Sequence, residues 1–142
     1  MTIMLIDKEN IKTYIPQREP FILIDELVSA DEKGFNSRFK VQTDTIFTEN
    51  DTLSESALVE NIAQTCAAGF GYLGSLSGGG EARLGFIGAV SRLEVFFSAK
   101  SHDQLETRVD IVNSFENIHL IEGVAKCNGV ELLKCQMKIV QA

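Results

Sequence analysis

One segment limits the folds open to this chain more than any other. Between about Leu53 and Leu73, the residues Ala57, Leu58, Val59, Ile62, Ala63, Cys66, Ala67, Ala68 and Phe70 put apolar side chains on nearly every side of a helix. A helix that is apolar all round is buried, because a surface helix keeps a polar face. Thr52, with Glu55 three residues on, has the spacing of a capping box and predicts the helix start. The run Ser75-Leu76-Ser77-Gly78-Gly79-Gly80 predicts its stop and a flexible loop after it. The rest of the 142 residues must therefore close around this one helix.

The flanking segments are suited to that. Residues 6–14 predict a short N-terminal helix ended by Pro16. The stretch 21–30, apolar and then alternating, predicts a strand, with a turn at Lys33-Gly34 and a returning strand over 35–43. After the glycine loop, 84–97 is rich in β-formers. Residues 104–115 alternate, with Leu105, Thr107, Val109 and Ile111 on one face. Segments 118–127 and 130–140 flank Asn128-Gly129, a strong two-residue hairpin signal. In that register Lys126 faces Glu131, Val124 faces Leu133, and Cys127 and Cys135 fall on opposite faces.

This order predicts an α+β protein, a curved antiparallel sheet wrapped around one long central helix, with residues 1–142 as a single domain. Among small architectures the hotdog fold fits it best. An α+β sandwich with its helix on one open face is the runner-up.

Composition narrows the partners. A net charge of -7 lacks the basic footprint that nucleic acid or an anionic membrane requires. No apolar run reaches the length of a membrane span, and the start has no basic region of a signal peptide. The three cysteines, Cys66, Cys127 and Cys135, form no CxxC pair and are odd in number, which points to the reducing cytoplasm.

Chemistry-bearing residues are few. The helix holds Glu60, Asn61, Gln64 and Thr65. At about 100° per residue, Glu60 and Gln64 lie roughly 40° apart on one face. Below them come the small residues Ala67, Ala68 and Gly71. A carboxylate and an amide above such a track suit a narrow slot for a thin acyl chain, and burial would raise the Glu60 pKa into the useful range. The same pair fits equally well as satisfied polar residues where the helix meets a partner chain. Gly85 and Gly88 inside a strand fit close approach of a ligand or a sheet bulge, with equal weight. His102 reads as a loop residue and His119 as a packed or surface strand residue. No spacing resembles a metal site, a nucleophile elbow or a phosphate loop, so no cofactor is expected.

Three segments in register resemble a known family. Ile15-Pro16-Gln17-Arg18-Glu19-Pro20-Phe21-Ile22-Leu23-Ile24-Asp25 is similar to the signature LPHRYPFLLVD of the 3-hydroxyacyl-[acyl-carrier-protein] dehydratases. Leu58-Val59-Glu60-Asn61-Ile62-Ala63-Gln64 resembles their central-helix IIEAMAQ. Gly85-Phe86-Ile87-Gly88-Ala89-Val90, followed by Val95-Phe96-Phe97 and Asp103-Gln104-Leu105, resembles their next strand and its PGDQ turn. The resemblance implies a hotdog fold, a homodimer with shared active sites that could assemble further, and acyl thioesters of acyl-carrier protein or coenzyme A as partners, in fatty-acid or related lipid or polyene biosynthesis. It makes Glu60 and Asn50 the catalytic candidates, while the helix face and the strand glycines make Gln64, Ala67, Ala68, Gly85 and Gly88 the substrate-binding candidates.

The chain departs from the family where the chemistry is concentrated. The family's catalytic His lies in a GHFPG segment before the helix. Here that stretch is Ile46-Phe47-Thr48-Glu49-Asn50-Asp51-Thr52, with Asn50 at the His position. Gln17 replaces the His of the first signature. An amide cannot take up a proton as imidazole does. The expectation is therefore a divergent dehydratase-like protein with Glu60 as acid/base. Two alternatives stay open: a thioesterase using Glu60, since some hotdog thioesterases pair a helix carboxylate with amides, or a non-catalytic acyl-binding partner subunit.

Overall fold

The computed structural model describes residues 4–78 and 85–142. A single 3₁₀ turn at Ile11–Thr13 stands where the N-terminal helix was expected. Strands β1 (Glu26–Asp31) and β2 (Gly34–Lys40) form a hairpin. A small two-stranded hairpin follows, β3 (Thr48–Glu49) with β4 (Thr52–Leu53). Helix α1 (Glu55–Leu76) leads to four long strands, β5 (Gly85–Val95), β6 (Gln104–Phe115), β7 (Ile118–Cys127) and β8 (Val130–Gln141). The main sheet is antiparallel throughout, in the order β1-β2-β6-β7-β8-β5. It curls around α1, as the apolar helix demanded. The last glycines of the expected helix-terminal loop, Gly79 and Gly80, lie outside the described residues.

Helix and sheet meet closely enough to dictate residues on both. Leu58, Ile62 and Cys66 of α1 are buried against Phe35, Val109, Ile121 and Met137 of the sheet core. A Cβ on Gly123 of β7 would lie 2.3 Å from Ile62 Cγ2, and one on Gly69 of α1 would lie 2.2 Å from the Phe35 ring. Only glycine permits these two contacts.

Several local expectations shift. The helix cap is Ser54, whose hydroxyl accepts from the Ala57 N–H at 3.3 Å, and Thr52 belongs to β4 instead. The first turn is Glu32-Lys33, so Gly34 already opens β2. Residues 21–25 are not a strand, for a reason given below. The Asn128-Gly129 turn is present, with positive φ at both positions (51° and 78°) as a type I′ turn requires. Lys126 faces Glu131, but a bulge follows, so Ala125 and not Val124 faces Leu133. That bulge also moves Cys135 onto the face shared by Cys127, correcting the opposite-face reading. Cys127 pairs with Val130 and Cys135 with Gly123, so they are far apart along the hairpin, and all three thiols are free. Burial pushes the Cys135 thiol up to about 11 and Cys66 higher still, so neither is a thiolate nucleophile at neutral pH.

Strand β5 is the free edge of the sheet and pairs only with β8 among the described residues. It and the residues after it carry Phe86, Ile87, Val90, Leu93, Val95, Phe96 and Phe97, all exposed. No described helix is long and apolar enough to cross a membrane.

Candidate active site

The polar residues of α1 divide by role. Gln64 is fully buried: its Oε1 accepts from the Leu23 N–H at 2.7 Å and its Nε2 donates to the Phe21 carbonyl at 2.8 Å. Asn61 Nδ2 donates to the Leu23 carbonyl at 2.7 Å, and Asn61 Oδ1 accepts from Thr107 Oγ1 at 2.6 Å. Thr65 Oγ1 lies 2.8 Å from the Asn61 carbonyl, to which it donates, and 2.7 Å from Ser37 Oγ. Helix side chains thus satisfy the Phe21 carbonyl and both backbone groups of Leu23, which is why the chain needs no strand neighbour at those residues.

Glu60 is bonded into none of this. It is half-buried and lines a cavity of about 240 Å³ between α1, the N-terminal segment and the β5–β8 edge. Burial pushes its carboxyl above the usual carboxylate range, and the Gln64 amide one turn on offsets part of that rise. Below Glu60 the helix wall consists of Ala63, Ala67 and Phe70, one face at spacings of three and four. Gly85, Phe86 and Ile87 of β5 and Ile139 of β8 form the apolar opposite wall. Two further polar side chains line the cavity: Gln17, whose Oε1 is buried with no donor among the described residues, and Gln141 at the end of β8.

Among the residues the sequence singled out, Glu60, Ala67 and Gly85 thus come together in one cavity. Gln64 and Ala68 lie in the core instead, both fully buried and outside the cavity lining. The small-residue track runs through Ala63 and Ala67, because the Gln64–Ala68 face turns toward the core. Gly71 packs on the Tyr14 carbonyl. Gly88 is at the register shift between Ile87 and Ala89, the bulge reading of that glycine. Asn50 sits exposed at the tip of the β3–β4 hairpin with φ 52°, next to Asp51 at φ 59°, and does not line the cavity. His102 is exposed, at φ 73°.

His119 is the residue that sequence spacing could not place. It is buried on β7, stacked on Phe70 with centroids 4.1 Å apart, and bonded to Ser114 and Gln141. It thus lies one layer behind the cavity wall. Among the described residues no group of His, Cys, Asp and Glu could hold a metal ion.

Comparison with known proteins agrees with this architecture. The chain is 27% identical over 144 residues to a 3-hydroxyacyl-[acyl-carrier-protein] dehydratase FabZ of Bacillus velezensis, covering 97% of this chain and 98% of that one. A FabZ of Bacillus subtilis is 25% identical over 139 residues, covering 88% and 90%. Among solved structures, the dehydratase heterocomplex ApeI:P of Xenorhabdus doucetiae superposes with a TM-score of 0.86 at 17% identity, covering 93% of this chain and 90% of that one. A hypothetical thioesterase of Streptococcus pneumoniae with coenzyme A gives 0.63 at 14% identity, covering 82% and 84%. These likenesses establish the hotdog fold. The model of the ApeP-like dehydratases matches residues 9–142, nearly the whole chain, and the protein belongs to that family.

Proposed function

We propose that this chain, as one hotdog unit, binds 3-hydroxyacyl thioesters carried by acyl-carrier protein or coenzyme A, and that Glu60 moves the protons of their dehydration. The observation that carries this reading is a half-buried carboxyl with raised proton affinity over an apolar cavity, in a chain of a dehydratase family. Dehydration breaks the C2–H and C3–O bonds, forms C2=C3 and releases water. One group must accept the C2 proton, and one must give a proton to the leaving hydroxyl. A carboxyl whose proton affinity is raised by burial can do both in turn, first taking the C2 proton as carboxylate and then returning it to the hydroxyl. The Gln17 Oε1, an acceptor without a donor among the described residues, suits the hydrogen of the 3-hydroxyl.

With no imidazole in this cavity, we infer that the chain alone is slow. Turnover of a 3-hydroxyacyl carrier-protein substrate by the purified chain is expected roughly 10²–10⁴-fold below that of an ordinary dehydratase, the usual contribution of one acid/base group. Because Asn50 lies outside its own chain's cavity, Asn50→His is expected to recover part of it only where a paired chain brings this turn to Glu60, and His tolerates the positive φ there. A wild-type rate equal to an ordinary dehydratase would refute the inference. Release of free thiol without enoyl product would instead make the chain a thioesterase.

The exposed apolar edge of β5 supports pairing with a second hotdog chain, which would close the cavity along that edge. Self-pairing is the first expectation, giving a homodimer at micromolar concentration by sedimentation. A persistent monomer would refute self-pairing and favour a different hotdog partner, as in the ApeI:P heterocomplex. The three free thiols suit a cytoplasmic setting.

A further inference from the structure

The Gln141 side chain is held by a device that the acid/base chemistry does not use. His119 Nε2 lies 3.0 Å from Gln141 Oε1, and its Nδ1 lies 2.8 Å from Ser114 Oγ. With Gln141 Oε1 toward the ring, an oxygen that only accepts, the matching tautomer carries its hydrogen on Nε2 and donates it. Nδ1 is then free to accept from the Ser114 hydroxyl. The ring is held by its stack on Phe70, at 4.1 Å and 25°, and is only 8% exposed. In this arrangement the carbonyl end of the Gln141 amide faces back into the sheet, toward the ring. Its amino end, Nε2, has no hydrogen-bond partner among the described residues, and the side chain lines the same cavity as Glu60 and Gln17. The cavity thus holds a half-buried carboxyl and, among the described residues, an acceptor lacking a donor and a donor lacking an acceptor.

We propose that Gln141 Nε2 donates a hydrogen bond to the thioester carbonyl oxygen of the bound substrate, and that His119 is a positioning residue fixing which end of that amide faces it. The proposal rests on the acyl-thioester reading of the cavity. Removing the C2 proton pushes negative charge onto that oxygen. A fixed donor aimed there gains strength as the charge develops, and so lowers the barrier more than it tightens binding. His119 touches neither substrate nor Glu60 in this scheme. Its whole contribution passes through Gln141.

The test uses the full chain and a hexanoyl-pantetheine thioester labelled with ¹³C at the carbonyl, read by infrared difference spectroscopy, so that no turnover is needed. In the wild type the bound carbonyl stretch is expected to fall below its value in water-free solvent. In Gln141→Leu the shift is expected to disappear, while Glu60→Gln retains it. His119→Phe keeps the stack on Phe70 and releases the amide, and is expected to broaden the band. Where turnover is measurable, Gln141→Leu is expected to lower kcat by roughly 10–10³-fold with KM changed far less. The double variant Gln141→Leu/His119→Phe is expected to be no slower than Gln141→Leu alone, since the two act as one unit. A thioester that binds with an unshifted carbonyl, or a shift that survives Gln141→Leu, overturns the proposal and leaves the acyl-thioester reading standing. Additive losses in the double variant overturn the role of His119. Failure of any thioester to bind overturns the underlying reading, and the proposal with it.

Discussion

Replacing Glu60 by Gln is expected to lower any turnover of a 3-hydroxyacyl thioester by roughly 10²–10⁴-fold, the range for loss of one acid/base group. Far-UV circular dichroism is expected to stay unchanged, because Glu60 supports none of the bonds that pin segment 21–25. The substitution keeps the shape of the side chain and removes only its capacity to carry a proton. It also alters how stability depends on pH. The folded-state pKa of Glu60 is raised by burial, so the native chain holds that proton more tightly than the unfolded one. The resulting stabilisation is fully present below the unfolded carboxylate value and is lost as pH rises through the raised one. Denaturant titrations across that window are therefore expected to show the wild type losing stability relative to Glu60→Gln as pH rises. Unchanged turnover in the variant would remove Glu60 from the chemistry. Parallel stability curves would remove the burial argument.

The second large effect falls on stability. Gln64→Leu is expected to destabilise the fold by about 2–5 kcal/mol, with the buried Leu23 N–H and the part-buried Phe21 carbonyl each losing a partner, at roughly 1–3 kcal/mol for the buried one and less for the other. Leucine fills the volume but can bond neither group. In thermal unfolding this corresponds to a drop of roughly 10 °C for a chain of this length. The loss of these two bonds is expected at every pH, since neither joins a titrating group. A variant as stable as the wild type but unable to hold an acyl thioester would make Gln64 a substrate ligand after all, against its full burial and its two backbone bonds.

The contrast between these two residues marks where the sequence could be read and where it could not. Both are polar positions on one face of a helix, and spacing alone placed them together. What separates them is the backbone of residues 21–25, which runs over Gln64 and Asn61 but leaves Glu60 open. Nothing in the pattern of Phe21-Ile22-Leu23-Ile24 reveals that its partners are side chains and not a neighbouring strand. The wrapping of the sheet was legible, because a helix apolar on all sides has few other solutions. The Asn128-Gly129 turn was legible because both positions need positive φ. The bulge beyond it was not, since Leu132 and Leu133 look alike in sequence, yet it decides which face Cys135 takes. The Gln141–His119 contact spans adjacent strands across a register that this bulge helps set. It became visible only with the strand order known.

The exposed row from Phe86 to Phe97 has a consequence for how long the chain survives once made. An edge strand with open backbone groups and large apolar side chains is a template for adding any strand that meets it. If pairing along β5 buries that row, every paired chain is withdrawn from both unfolding and unspecific association. The melting temperature should then rise with protein concentration or with added partner, by mass action. A cell making this chain in excess of whatever covers β5 would hold the surplus as its least durable fraction, so supply of the partner would set the level of the chain itself.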